Sequence, residues 1–227
     1  MNQTAPYLLH IETTGLTCGV AVSRERGIVA EFAVNQKNVH SRKLAPFVEQ
    51  ALEEAEISPD ALSAIVVSAG PGSFTGLRIG FSLAKGMAQA LNIPVIPVST
   101  LQVWAYSLGP RQEAIVPIID ARREELFVAR FHHDANGFQE VAKPTLLPLA
   151  EFPNWLGDAP AIITGADAVR LKPQLHPLLP DSATIWSAPQ PQMWALAELG
   201  YSAYLKGNWP SLTDAEPLYM RAFKGVL

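Results

Sequence analysis

The chain has 227 residues, 48% of them hydrophobic and 17% charged, with a net charge of −4 and a single cysteine. That length admits one large domain or two small ones, no apolar run approaches the ~20 residues of a bilayer-spanning helix, and the absence of a basic tract excludes a self-sufficient nucleic-acid module. Cys18 alone cannot close an intrachain disulfide, and the opening MNQTAPYLLHIETT lacks the basic, apolar and small-residue parts of a secretory signal, so the expected location is cytoplasmic.

In chain order, YLLHIETT (7–14), TCGVAVS (17–23) and GIVAEFAV (27–34) read as three strands joined by tight turns, most simply an antiparallel meander. Leu44, Phe47, Val48, Ala51, Leu52 and Ala55 then mark one stripe of a helix over 42–56, with Pro46 placed in its first turn. AIVVSAG (64–70) is a buried-type strand and 72–91 a helix; VIPVS (95–99) is a strand and 100–108 a helix. The order βββαβαβα, with long crossovers, calls for parallel strands after the meander.

The pattern then restarts. AIVPIID (114–120) again ends in an acid, ELFVARFH (125–132) alternates as a strand does, DANG (134–137) is a hairpin turn, and 138–147 continues as a third strand. Glu12 aligns with Asp120 and Gly27 with Gly137, a duplication with a period near 108 residues. Eleven of the 19 prolines lie between positions 144 and 217 and obscure the second copy. PAIITG (160–165) reads as its fourth strand, and 192–207 as a helix burying Trp194, Leu196, Ala197, Tyr201, Tyr204 and Leu205. The boundary is placed at Gly109–Pro110, giving lobes 1–109 and 110–227.

Two features carry candidate chemistry. SAGPGSFTGLRIG (68–80) puts glycines between a strand and a helix N-terminus, the geometry of a phosphate cradle. Its spacing is neither G-x-G-x-x-G nor a Walker loop, and Pro71 removes a donor. The competing reading is packing: Gly76, Gly80, Ala84 and Ala88 make a small-residue groove, flanked by Leu77, Phe81, Met87 and Leu91, that seats either the chain's own sheet or a helix of another molecule. The second feature is the acid pair, Glu12 and Asp120, which could hold a metal-nucleotide across a cleft, whereas the bulky Arg122 and Arg123 suit solvated surface better than a phosphate turn. The five histidines form no ligand motif; Cys18 reads as a core residue, and Ser73 and Thr75 read as helix caps.

The segments LLHIETTGLTCGVAV, SAGPGSFTGLRIGFSLAKGMAQAL, PVSTL, IIDARREELFVARF and AEPLYMR resemble the TsaB family, also called YeaZ, in order and along nearly the whole chain. The resemblance implies an α/β protein of the actin-like ATPase superfamily: two duplicated actin-like, ribonuclease H-like βββαβα lobes, each a mixed five-stranded sheet flanked by helices. It implies kinship with TsaD, the subunit that installs threonylcarbamoyl on the adenosine next to the anticodon, with TsaB as its non-catalytic partner. TsaE joins through the TsaD–TsaB pair, TsaC supplies the threonylcarbamoyl-adenylate, tRNA is met only through the complex, and the isolated protein forms a homodimer.

Family pairing helices match 42–56 and 72–91, so the resemblance assigns the partner interface to Leu44, Phe47, Val48, Ala51, Phe74, Gly76, Leu77, Gly80, Ala84, Met87 and Ala88. It leaves Glu12, Thr13 and Asp120 as a vestigial nucleotide cleft, with no catalytic residue, no metal and no cofactor beyond weak ATP– or ADP–magnesium in the complex. TsaD's metal-binding histidine pair has no counterpart, since His40 lacks a partner four residues away, and the first strand ends Glu12-Thr13 where relatives have Asp-Thr. The alternative is a kinase- or ATPase-like enzyme using the cleft; a peptidase reading has neither zinc ligands nor a nucleophile elbow behind it.

Overall fold

The computed structural model describes residues 5–186, 191–207 and 209–220. The first unit comprises the residues up to Val103 together with Gln192–Leu218. Its strands β1 (Tyr7–Glu12), β2 (Thr17–Arg24) and β3 (Gly27–Asn35) form the expected antiparallel meander, and β4 (Leu62–Ser68) and β5 (Val95–Val98) add in parallel. The sheet order is β3-β2-β1-β4-β5. β1 is therefore central, and its alternating side chains are buried on both faces.

Helices α1 (His40–Glu54) and α2 (Phe74–Leu91) supply the crossovers on either side of β4. Their inward residues, among them Leu44, Val48, Ala51, Phe81, Ala84 and Ala88, close one core with Leu9, Ile11, Val20, Val22, Ile65 and Val67. α1 begins two residues before the expected 42 and carries Pro46 in its interior rather than its first turn. Both Pro46 and Arg42, whose carbonyl loses its helical donor, lie on the exposed side, where water can replace that bond. The helix α3 (Thr100–Tyr106) follows β5.

The second unit, whose described residues are 104–186, 191, 219 and 220, repeats the plan. Strands β6 (Ala114–Arg122), β7 (Glu125–Asp134) and β8 (Gly137–Pro148) form a meander, and β9 (Ala161–Thr164) and β10 (Ala183–Ile185) extend it in the order β10-β9-β6-β7-β8. The same topology twice confirms the duplication. The hairpin turn falls where DANG predicts it, with Gly137 at φ +116° and the Asn136 N–H donating to Asp134. The crossover helices are short, α4 (Phe152–Leu156) and α5 (Ala168–Leu175), with Pro153 and Pro173 within them. α4, α5 and the three-residue β10 are absent from the sequence-based reading, since none is long enough to show a period.

The lobe boundary differs from the one expected at Gly109–Pro110. Contacts divide the chain after Val103, and the last helix, α6 (Met193–Lys206), belongs to the first unit rather than the second. α6 lies on the sheet face opposite α1 and α2: a Cβ on Gly200 would sit 2.6 Å from the Val66 side chain, which alternates with the Ile65 and Val67 of the other core. Its buried side is Met193, Ala195, Leu196, Ala197, Gly200 and Tyr201, while Trp194 and Leu205, expected inside, are 42% and 61% exposed. An α6 that is apolar nearly all round gives too broad a stripe for the sequence to locate its inner side.

Candidate partner face and the two strand-end acids

The glycine segment leaves the end of β4 through Gly70, at φ +101° and joined to Pro71 by a cis peptide bond, and enters α2 at Ser73. Three of its backbone donors are turned inward and engaged. The Gly70 N–H donates to the Thr100 hydroxyl (3.0 Å), the Ser73 N–H to the Thr14 carbonyl (2.7 Å), and the Gly76 N–H to the Ser73 hydroxyl (3.2 Å) that caps the helix. Thr75 lies inside α2 and is not its cap. A phosphate cradle needs such groups turned outward, so packing is what this segment does.

The packing partner is the turn after β1. A Cβ would lie 2.4 Å from the Thr14 carbonyl oxygen at Gly72, 2.0 Å from the Thr13 carbonyl oxygen at Gly76, and 2.4 Å from the Thr13 hydroxyl at Gly80. Only glycine admits this approach of helix to backbone. The small-residue face therefore seats the chain's own sheet. Of the eleven side chains assigned to a partner interface, Leu44, Val48, Ala51, Gly76, Leu77, Gly80, Ala84 and Ala88 are buried in the first unit. Side chains buried in this way offer no contact surface to another molecule. Phe47 and Met87 remain half-buried and Phe74 is exposed, with the Arg78 guanidinium 4.0 Å over its ring. On the same helix Arg78 is exposed and Ile79 and Leu83, which flank the glycine stripe, are half-buried.

Both strand-end acids are engaged within their own units. Glu12 is 1% exposed; one carboxylate oxygen accepts the Thr14 N–H (2.6 Å) and hydroxyl (2.5 Å), and the other accepts the Ser68 hydroxyl. Burial raises its pKa against the opposing pull of those donors. Thr13, the other residue assigned to the vestigial cleft, is fully buried under Gly80. Asp120 accepts the Arg122 N–H (2.7 Å) and pairs with Arg170 (2.5 Å), which also bridges to Asp167 (3.0 Å). Burial would raise the Asp120 pKa, but the Arg122 N–H and the guanidiniums of Arg170 and Arg122 outweigh it and hold the carboxyl below its ordinary value. Glu12 is thus committed to donors in a buried site, and Asp120 to a backbone N–H and two guanidiniums.

His10, His40 and Cys18 have structural roles. The Nε2–H of His40 donates to the Thr17 carbonyl (3.1 Å), tying the start of α1 to β2. His10 contacts the Ser23 hydroxyl (2.8 Å), and full burial lowers its pKa to about 3. Burial, with the nearby Glu12, pushes the Cys18 thiol up to about 11, far from a nucleophile's range. Among the described residues no group of three or more His, Cys, Asp or Glu is placed to hold a metal.

The C-terminal segment after α6 completes the first unit. Lys85 of α2 donates to the carbonyls of Thr213 (3.2 Å) and Ala215 (3.1 Å), Ala215 is buried in the core, and the Leu218 N–H donates to the Ala69 carbonyl (2.7 Å). The AEPLYMR motif is thus laid, as far as Leu218, against α2 and the glycine turn; its Arg221 lies outside the described residues.

Two mixed five-stranded sheets of identical order, each flanked by helices, define a duplicated actin-like, ribonuclease H-like protein. The solved structure of an uncharacterised Pseudomonas aeruginosa protein with similarity to peptidase YeaZ superposes with a TM-score of 0.81 at 26% identity, over 95% of this chain and all of that one. The family described as TsaD, tRNA N6-adenosine threonylcarbamoyltransferase, matches residues 20–166. The tRNA threonylcarbamoyladenosine biosynthesis protein TsaB of Bacillus subtilis is 34% identical over 197 residues, 85% of this chain and 86% of that protein; TsaB of Escherichia coli is 27% identical over 223 residues, 94% of each. The chain belongs to the TsaB (YeaZ) family, a branch related to the TsaD-type transferases. No helix among the described residues is long and apolar enough to cross a membrane.

Proposed function

We infer that this chain is a non-catalytic subunit of the machinery that makes N6-threonylcarbamoyladenosine in tRNA, and that it acts by binding and activating a TsaD-type transferase. Family membership supplies the pathway. The observation that supports the non-catalytic role is the state of Glu12: the acid that an ATPase of this fold would turn toward a metal-nucleotide is spent on Thr14 and Ser68.

The partner face consists of the outward sides of α1 and α2: Phe47, Phe74, Ile79, Leu83 and Met87, rimmed by Lys43 and Arg78. These side chains are apolar, clustered on adjacent helices and backed by a rigid core. The same face serves a homodimer of the isolated chain, TsaE joins through the pair with TsaD, and tRNA is met through the complex. Calorimetric titration with TsaD from the same source tests this. Wild type binds, and Met87→Glu or Phe74→Ala weakens binding by about tenfold or more; unchanged affinity in both removes α2 from the interface. The kinase-like alternative predicts heat on titrating millimolar ATP–magnesium into the isolated chain, and the engaged acids predict none.

A further inference from the structure

We propose that Glu12 is a positioning residue for the partner helix: it fixes the Thr13–Thr14 turn against the glycine face of α2 and so sets where the outward side chains of that helix stand. The proposal rests on the partner face inferred above and adds what holds it in place.

The contacts run without a gap from acid to helix. Glu12 takes both the N–H and the hydroxyl of Thr14, and Ser68 anchors its other oxygen to the end of β4. Thr14 returns its carbonyl to the N–H of Ser73, the N-cap of α2. Along the next two turns the Thr13 carbonyl and hydroxyl meet Gly76 and Gly80, where even a methyl group would collide. The helix therefore rests on backbone and on a short hydroxyl, with no long side chain to absorb a shift. A change in the turn has to move α2.

The second unit offers an internal comparison. There the equivalent acid, Asp120, is also tied to the helix that follows the fourth strand, through Arg170 of α5, while the Asp120 N–H donates to Asp167 at the α5 N-terminus (2.9 Å). The place of the tether is kept and its chemistry differs: guanidinium and carboxylates in the second unit, hydroxyls and glycines in the first. In both units the strand-end acid is tied to the helix that follows the fourth strand.

The full chain carrying Glu12→Leu, Glu12→Gln or Thr14→Val tests the proposal, with two readouts: affinity for TsaD from the same source, and the amide NMR shifts of Gly72, Gly76 and Gly80. Glu12→Leu removes every acceptor; it moves the glycine amides and weakens binding by about tenfold. Glu12→Gln keeps an acceptor oxygen for Thr14, and the Ser68 hydroxyl can turn to accept from the amide; shifts and affinity stay within about twofold of wild type, which rules out general damage as the cause. Thr14→Val deletes only the side-chain donor and gives an intermediate loss of about threefold, so it decides the matter if Glu12→Leu does not fold. Wild-type amide shifts and affinity in Thr14→Val and in folded Glu12→Leu overturn the proposal, as does a Glu12→Gln as weak as Glu12→Leu. If wild type itself does not bind TsaD, the partner reading fails while the glycine amides still report on the anchor.

Discussion

Gly76→Ala should destabilise the protein, although alanine is the better helix former. A Cβ at this position would lie 2.0 Å from the Thr13 carbonyl oxygen and 3.2 Å from its carbonyl carbon, and both belong to backbone held by Glu12 and α2. Restoring ordinary contact requires helix and turn to part by more than about 1 Å. Overpacking costs about 1–3 kcal/mol, a clash with backbone belongs in the upper part of that range, about 2–3 kcal/mol, and subtracting a propensity gain of about 1 kcal/mol leaves a net loss of about 1–2 kcal/mol. For a chain of this length that lowers Tm by about 2–8 °C. Gly86→Ala, in the same helix, is the control: it is exposed, a Cβ there meets nothing within 4 Å, and only the propensity gain of up to about 1 kcal/mol remains. Thermal unfolding followed by circular dichroism should show Tm falling for Gly76→Ala and rising by about 2–4 °C for Gly86→Ala. A rise in both would refute the seating of α2 on the β1 turn.

Phe74→Ala, on the exposed side of α2, should change Tm by less than about 2 °C while lowering affinity for TsaD, separating outward residues from the buried stripe. Because burial raises the Glu12 pKa in the folded state, the folded chain holds its proton more tightly than the unfolded one, and this acid's contribution to stability declines as pH rises above its ordinary 4.5. Denaturant titrations from pH 4 to pH 8 should accordingly show Glu12→Gln gaining on wild type with rising pH; a difference that stays flat contradicts the burial of the acid. Lys85→Met removes the donor to the Thr213 and Ala215 carbonyls and should speed proteolysis between α6 and Leu218 while leaving the second unit intact, as limited digestion with the broad-specificity proteinase K can show.

Much of this architecture is legible in the residues. The alternating runs from Tyr7 to Asn35, the Leu44–Ala55 stripe and the acid-ended strands at Glu12 and Asp120 mark the meander, the crossover and the duplication, because each pattern is local. The glycine stripe was legible as a close approach, but not what approaches: Gly76 and Gly80 face a turn sixty residues earlier in the chain, and helical spacing carries no record of that partner. The destination of α6 was hidden for a related reason. Nothing in the apolar run MWALAELG distinguishes one sheet from another, and it is the packing of α6 on the first sheet, with Gly200 over Val66, that assigns the helix to the first unit. The fate of Glu12 was equally unreadable, since its donors Thr14 and Ser68 are common residues whose convergence depends on the β1–β4 pairing.

We infer that this chain serves tRNA modification as an activator of a TsaD-type enzyme without contributing catalytic groups. Reconstitution measures it most directly: TsaD, TsaE, TsaC, unmodified tRNA, threonine, bicarbonate and ATP, with N6-threonylcarbamoyladenosine quantified with and without this chain. Modification is expected only when the chain is present, unaffected by Asp120→Asn and abolished by a Met87→Glu variant that folds normally. Equal modification without the chain, or full activity in the Met87→Glu variant, would contradict it.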